Sequence, residues 1–297
     1  MAVTLSEREQ TRALYPAESG YVERDGVRVF YEVYGSGAPT VLLLPTWSIF
    51  PSRHWKSQIP FLARRFRVVT YDGRGNGQSD RPKDPAAYDE REFAADALAV
   101  LDATGTERAI TVGLSLGSQR GLILAAEHPE RVTSAIFIGP SFPGGGEPLA
   151  VRAVYSWEDE LDTDEGWAKY NKYFWLRDYR GFLDFFFSRM FTEPHSTKQI
   201  DDGIGWALET TAETLVTAQY GNTLQPEEAR ELAGRVRCPV LVIHGADDAL
   251  VSSTRGVALA DATGGAVVLL EGSGHCPHMR DPVTVNLVLR DFIRRRT

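Results

Sequence analysis

Gly113-Leu114-Ser115-Leu116-Gly117 sets a serine between two glycines, where the apolar run 110–114 gives way to the amphipathic stretch 116–127. A serine hydroxyl attacks a carbonyl only when a base takes its proton and the chain presents it to substrate. A sharp strand-to-helix turn does the presenting. It lifts the side chain above the sheet edge, and flanking glycines let it close without steric conflict. It also aims N–H groups of the helix start at the place where negative charge would form. The pentapeptide is common by chance, so its strand–turn–helix setting carries the reading. Two partners occur at matching places. The apolar run 240–244 ends at Gly245-Ala246-Asp247-Asp248, and Ala266–Leu270 leads into Glu271-Gly272-Ser273-Gly274-His275. A hydroxyl, a carboxylate and an imidazole thus follow three strands in the chain order nucleophile, acid, base. The chemistry they could do is acyl transfer through a covalent acyl-serine.

The elements that must position them read as an α/β sheet. Residues 21–24 and 27–34 alternate around Asp25-Gly26, a strong hairpin signal. Short apolar runs then alternate with amphipathic stretches: 41–44 and 55–65, 67–71 and 90–101, 110–114 and 116–127, then 132–138. Continuous apolar strands alternating with helices predict a mostly parallel sheet buried on both faces. Its carboxyl edge is where ligands bind. After Ile138 comes a breaker-rich exit, Gly139-Pro140-Ser141-Phe142-Pro143-Gly144-Gly145-Gly146, and about ninety residues without a strand-like run. The alternation resumes with 239–244, 254–262, 266–270 and 283–293. The expected architecture is eight strands, mostly parallel, with an antiparallel N-terminal hairpin and a helical cap inserted after the sixth strand. The expected units are a core of 20–141 and 233–297, a cap of 142–232 and an N-terminal arm of 1–19.

Composition agrees. The chain has 297 residues, of which 43% are hydrophobic and 24% charged, so it can bury a large core without disulfide or structural metal. Cys238 and Cys276 form no C-x-x-C pair, which rules out a cysteine-based zinc site. Residues 1–19 lack the basic start and apolar centre of a secretory signal, so a reducing cytoplasm is the expected location. The apolar runs are too short to cross a bilayer. Apart from the closing Arg294-Arg295-Arg296 there is no basic stripe, so neither nucleic acid nor membrane is an expected partner. His54, His128, His195, His244 and His278 lack metal-ligand spacing and are expected in packing or surface roles. Gly73-Arg74-Gly75-Asn76-Gly77 is not the dinucleotide fingerprint and reads as a structural loop.

Over nearly all of residues 21–293 the chain resembles the α/β-hydrolase family. Besides the three residues above, the resemblance includes Asp72-Gly73-Arg74-Gly75-Asn76-Gly77-Gln78-Ser79, similar to the family's D-x-R-G-x-G-x-S loop, and the point where family members insert a cap. It implies Ser115 as nucleophile, His275 as base and Asp248 as the acid that orients it. Asp247 is the rival acid; the spacing from Gly245 matches the family's G-x-x-D and favours Asp248. The resemblance implies oxyanion donors from the backbone N–H groups of Leu116 and, by position, Trp47. Here the chain departs from the family, with Pro45-Thr46 where many members have His-Gly. Pro45 has no N–H to give, and losing the glycine stiffens the loop. The resemblance implies neither metal nor organic cofactor.

Residues 142–231 hold 8 Lys/Arg against 17 Asp/Glu, and ten of the 31 aromatic residues fall between Tyr170 and Phe191. Phe185-Phe186-Phe187 cannot all face one side of a helix. One face is therefore expected to line a pocket, with Phe185, Phe186 and Trp175 as candidate substrate contacts and a bulky hydrophobic ester or lactone as substrate. The resemblance implies that the same three residues could also serve acyl transfer, C–C bond hydrolysis or perhydrolysis, and a non-catalytic binding protein on this scaffold is the reading from another class. The oligomeric state is left open.

Overall fold

The computed structural model describes residues 12–295. Residues 1–11 of the expected N-terminal arm, and Arg296 of the arginine run, lie outside them. Eight strands form one sheet: β1 (Glu18–Arg24), β2 (Val27–Tyr34), β3 (Thr40–Leu43), β4 (Arg67–Tyr71), β5 (Ala109–Leu114), β6 (Val132–Ile138), β7 (Val240–Gly245) and β8 (Ala266–Leu270). Their spatial order is β1-β2-β4-β3-β5-β6-β7-β8. β1 and β2 form the antiparallel hairpin around Asp25 and Gly26, both left-handed (φ 53° and 77°) as a tight two-residue turn requires. β2 joins β4 antiparallel, and every later pairing is parallel.

The helices in chain order are α1 (Ile59–Leu62), α2 (Glu90–Ala103), α3 (Gly117–Glu127), α4 (Lys172–Arg177), α5 (Tyr179–Met190), α6 (Thr197–Ala207), α7 (Ala212–Gln219), α8 (Pro226–Arg235), α9 (Ser253–Thr263), α10 (Pro277–Arg280) and α11 (Pro282–Arg294). Strand side chains alternate between two cores. Leu42, Leu44, Phe137 and Val242 meet residues of α2, α3, α8 and α9; Val41, Leu43, Ile136, Ile138 and Ile243 meet residues of α11 and the aromatic helices. Between β6 and β7 the described residues form helices and irregular chain without a strand. α8 runs across the expected junction at 232/233 and packs on α3 and α9.

Two expectations fail locally. The expected helix 55–65 is broken into a 3₁₀ turn, Ser52–Trp55, and the short α1. Pro60 lacks an N–H and cannot continue a helix arriving from Trp55. β8 is not buried on both faces: it is the sheet's edge, and Val267 and Leu269 are exposed. Among the described residues, no helix is long and apolar enough to cross a membrane.

Candidate active site

The parallel register brings the carboxyl ends of β3, β5, β7 and β8 to one edge. Ser115 follows the last residue of β5 with φ 53°, a left-handed conformation that costs a side-chain-bearing residue about 1–3 kcal/mol. Neighbouring chain holds the turn: the Ser115 N–H donates to the Ile138 carbonyl at 2.9 Å, and its own carbonyl accepts from Ser141 N at 3.2 Å. Gly117 opens α3 against the loop after β3, and a methyl group there would lie 2.6 Å from the Pro45 carbonyl oxygen. That approach is why the second motif glycine is needed. Gly117→Ala should therefore lower stability by about 1–3 kcal/mol through displacement of this loop, read as a drop in denaturant midpoint at unchanged m-value.

The structure joins His275 and Asp248. The His275 Nδ1–H donates to Asp248 Oδ2 at 2.7 Å, so that in the neutral imidazole the lone pair is on Nε2. Asp248 Oδ1 accepts from Leu250 N at 2.8 Å and Val251 N at 2.9 Å. Asp247 is exposed, and its backbone carbonyl accepts from Thr192. Burial alone would push the Asp248 carboxyl up; the charge of His275 and the hydrogen bonds from His244 and His275 overcome this and hold it well below the usual carboxylate range. The two loops touch: a methyl group on Gly245 would lie 2.1 Å from the Gly274 carbonyl oxygen.

His244 was expected to be a packing or surface residue, and it is more than that. Fully buried, it donates Nε2–H to Asp248 Oδ2 and the Val251 carbonyl, 3.1 Å each. The available signal was its place at the end of β7, four residues before Asp248.

Ser115, Leu116, Trp47, Phe186 and His275 line one cavity of about 200 Å³. Its wall also carries polar groups, among them Glu90, Arg120, Arg152 and Gln219. Two expected substrate contacts are not on it. Trp175 is fully buried behind Trp47, with ring centroids 5.6 Å apart. Phe185 turns about 100° away from Phe186 around α5 and packs edge-on against Trp167 at 5.3 Å. Most of the aromatic block is consumed by its own packing: Trp47 alone contacts Tyr170, Trp175, Phe182 and Phe186. Cys276 is buried, which pushes its thiol well up and leaves it protonated.

Below the His275 loop, His54 Nδ1 and His278 Nε2 lie 3.1 Å apart, both fully buried. Burial first, then the nearby charge of His275, holds His278 down to about 3, and burial beside His278 lowers His54 as well. Both are therefore neutral in the fold, whereas in the unfolded chain they take up protons near pH 6.5. Their contribution is complete above about pH 6.5 and is lost progressively as pH falls towards 3. Thermal midpoints measured from pH 7.5 down to 4.5 should fall, and the fall should flatten in His278→Gln. A wild-type midpoint independent of pH across this window would contradict the assignment.

A family model described as alpha/beta hydrolase fold matches residues 39–282. A curated relative from Pseudomonas savastanoi pv. phaseolicola, provisionally named carbamate hydrolase RutD, is 30% identical over 249 residues, covering 83% of this chain and 90% of its own. Similar solved structures include the esterase RhEst1 from Rhodococcus sp., with 25% identity, a TM-score of 0.75 and coverage of 92% of this chain and 97% of that one. The enol-lactonase from Burkholderia xenovorans has 24% identity, a TM-score of 0.75 and coverage of 93% and 100%.

Proposed function

The chain belongs to the α/β-hydrolase fold family and is a hydrolase, and from that premise we propose a serine hydrolase of compact carboxylic esters or lactones. The reading rests on one observation: an imidazole oriented by a buried carboxylate at 2.7 Å shares a cavity with a serine held on a left-handed turn. Ser115 Oγ attacks the carbonyl carbon while His275 Nε2 takes its proton. The N–H groups of Leu116 and Trp47 receive the oxyanion. Collapse breaks the C–O bond, and His275 returns the proton to the leaving alcohol. Water then attacks the acyl-serine by the same route and releases the acid.

The cavity narrows the expectation of a bulky hydrophobic substrate. About 200 Å³ is below the usual range of roughly 300–1,000 Å³ for drug-sized ligands, and its wall is partly polar. Phe186, Met190, Leu250 and Val251 supply apolar contact for a short acyl or alcohol group. The free thiols Cys238 and Cys276 are compatible with a cytoplasmic location.

The test is a panel of p-nitrophenyl esters of rising acyl length, with lactones and an aryl carbamate, run on wild type and Ser115→Ala. Turnover should be best for acetate to butyrate and should depend on Ser115. Preference for long acyl chains would overturn the size assignment, and turnover that survives Ser115→Ala would overturn the mechanism.

A further inference from the structure

The geometry points to Arg120 as a positioning residue for the peptide that supplies the second oxyanion donor. This rests on the reading of Ser115 as nucleophile and of the Trp47 N–H as donor. Arg120 lies on α3, five residues after Ser115, and is 1% exposed. Nη1 donates to the carbonyl oxygens of Pro45 at 2.9 Å and Thr46 at 2.7 Å. Nε and Nη2 donate to Glu90 Oε2 at 2.8 Å and Oε1 at 3.3 Å. The Phe93 ring covers the guanidinium face, 3.5 Å from Cζ to centroid. The planar fork is thus fixed in its plane by four bonds and across it by a ring.

The Thr46 carbonyl and the Trp47 N–H are two ends of one planar, trans peptide unit. They point in opposite directions, so holding the oxygen at Arg120 sets the direction of the N–H. A cation at the oxygen end also polarises the amide and strengthens its N–H as a donor. Pro45-Thr46 replaces the glycine-containing loop start that would be free to settle around an oxyanion. Arg120 supplies from outside the loop the aim that the loop's own sequence does not. A buried ion pair present only for stability would need Glu90 alone; here the guanidinium also binds two successive carbonyls, ending at the donor peptide.

The experiment compares wild type, Arg120→Lys and the double variant Arg120→Met/Glu90→Gln, which leaves neither charge buried alone. Readouts are p-nitrophenyl acetate kinetics and the rate of Ser115 labelling by a fluorophosphonate, whose phosphonyl oxygen needs the same donors. The double variant should lose roughly 30- to 300-fold in kcat and in labelling rate, with KM within about threefold of wild type. Arg120→Lys keeps the charge beside Glu90 but cannot grip both carbonyls, so it should recover most of this, to within about tenfold of wild type. If the double variant does not fold, Arg120→Lys carries the comparison, with an expected fall of about three- to tenfold in kcat at constant KM. Wild-type kcat in a folded variant, or a change confined to KM, overturns the proposal while wild-type labelling of Ser115 keeps the mechanism standing. A wild type that neither hydrolyses esters nor labels at Ser115 removes the mechanism and this proposal together.

Discussion

Ser115→Ala should lower kcat on p-nitrophenyl acetate by about four to six orders of magnitude, leaving the fold intact. The size follows from what remains. Without Oγ no acyl-serine forms, and His275 can only activate water from a place built for a hydroxyl. The proposed oxyanion donors are backbone groups that alanine keeps, so a small residual rate over water should persist. Stability should hardly move, because alanine retains the left-handed strain at φ 53°. Ser115→Gly separates strain from chemistry: it should be equally inactive and about 1 kcal/mol more stable, since glycine adopts this conformation without penalty. Steady-state kinetics and denaturant midpoints on the three proteins check both halves. An active Ser115→Ala enzyme would move the nucleophile elsewhere.

Asp248→Asn should lower kcat by roughly 10⁴-fold and stability by about 1–3 kcal/mol. The Asp248 carboxylate accepts four hydrogen bonds and donates none: two from backbone N–H groups at Oδ1, and those from the N–H groups of His275 and His244 at Oδ2. An asparagine amide must turn its NH₂ towards one of these donor pairs. Turned to the histidines, it faces the His275 Nδ1–H and forces the wrong tautomer, taking the base lone pair from Nε2. Turned to the backbone, it leaves two buried N–H groups unmet and distorts the loop. Asp247→Asn, an exposed change one residue earlier, should stay within about twofold of wild type, as surface changes usually do. Activity lost in the Asp247 variant and kept in the Asp248 variant would reverse the assignment.

The scaffold was legible in sequence because its signals are local. Apolar runs of four to seven residues and the left-handed turns at Asp25-Gly26 and Ser115 each act through their own backbone, and β4, β6 and β8 span the expected residues. The departures arise where a neighbour intervenes. Pro60 cuts a helix that periodicity alone extends, and β8 is open because it is last in the sheet, a property of strand order. The aromatic block misled for the same reason. Composition counts rings, but only packing tells which face each other and which face the cavity, so Phe186 stays on the wall while Trp175 and Phe185 do not.

By itself, then, the sequence determined the order of strands and helices, the elbow at Ser115 and the candidates for acid and base, since each is encoded within a few consecutive residues. Tertiary structure set Asp248, and not Asp247, against His275 and His244, and tied Arg120 to the loop before Trp47. Those contacts join residues far apart in the chain or fix which way a side chain turns. Their energies depend on burial and angle, and both exist only once the sheet edge is assembled.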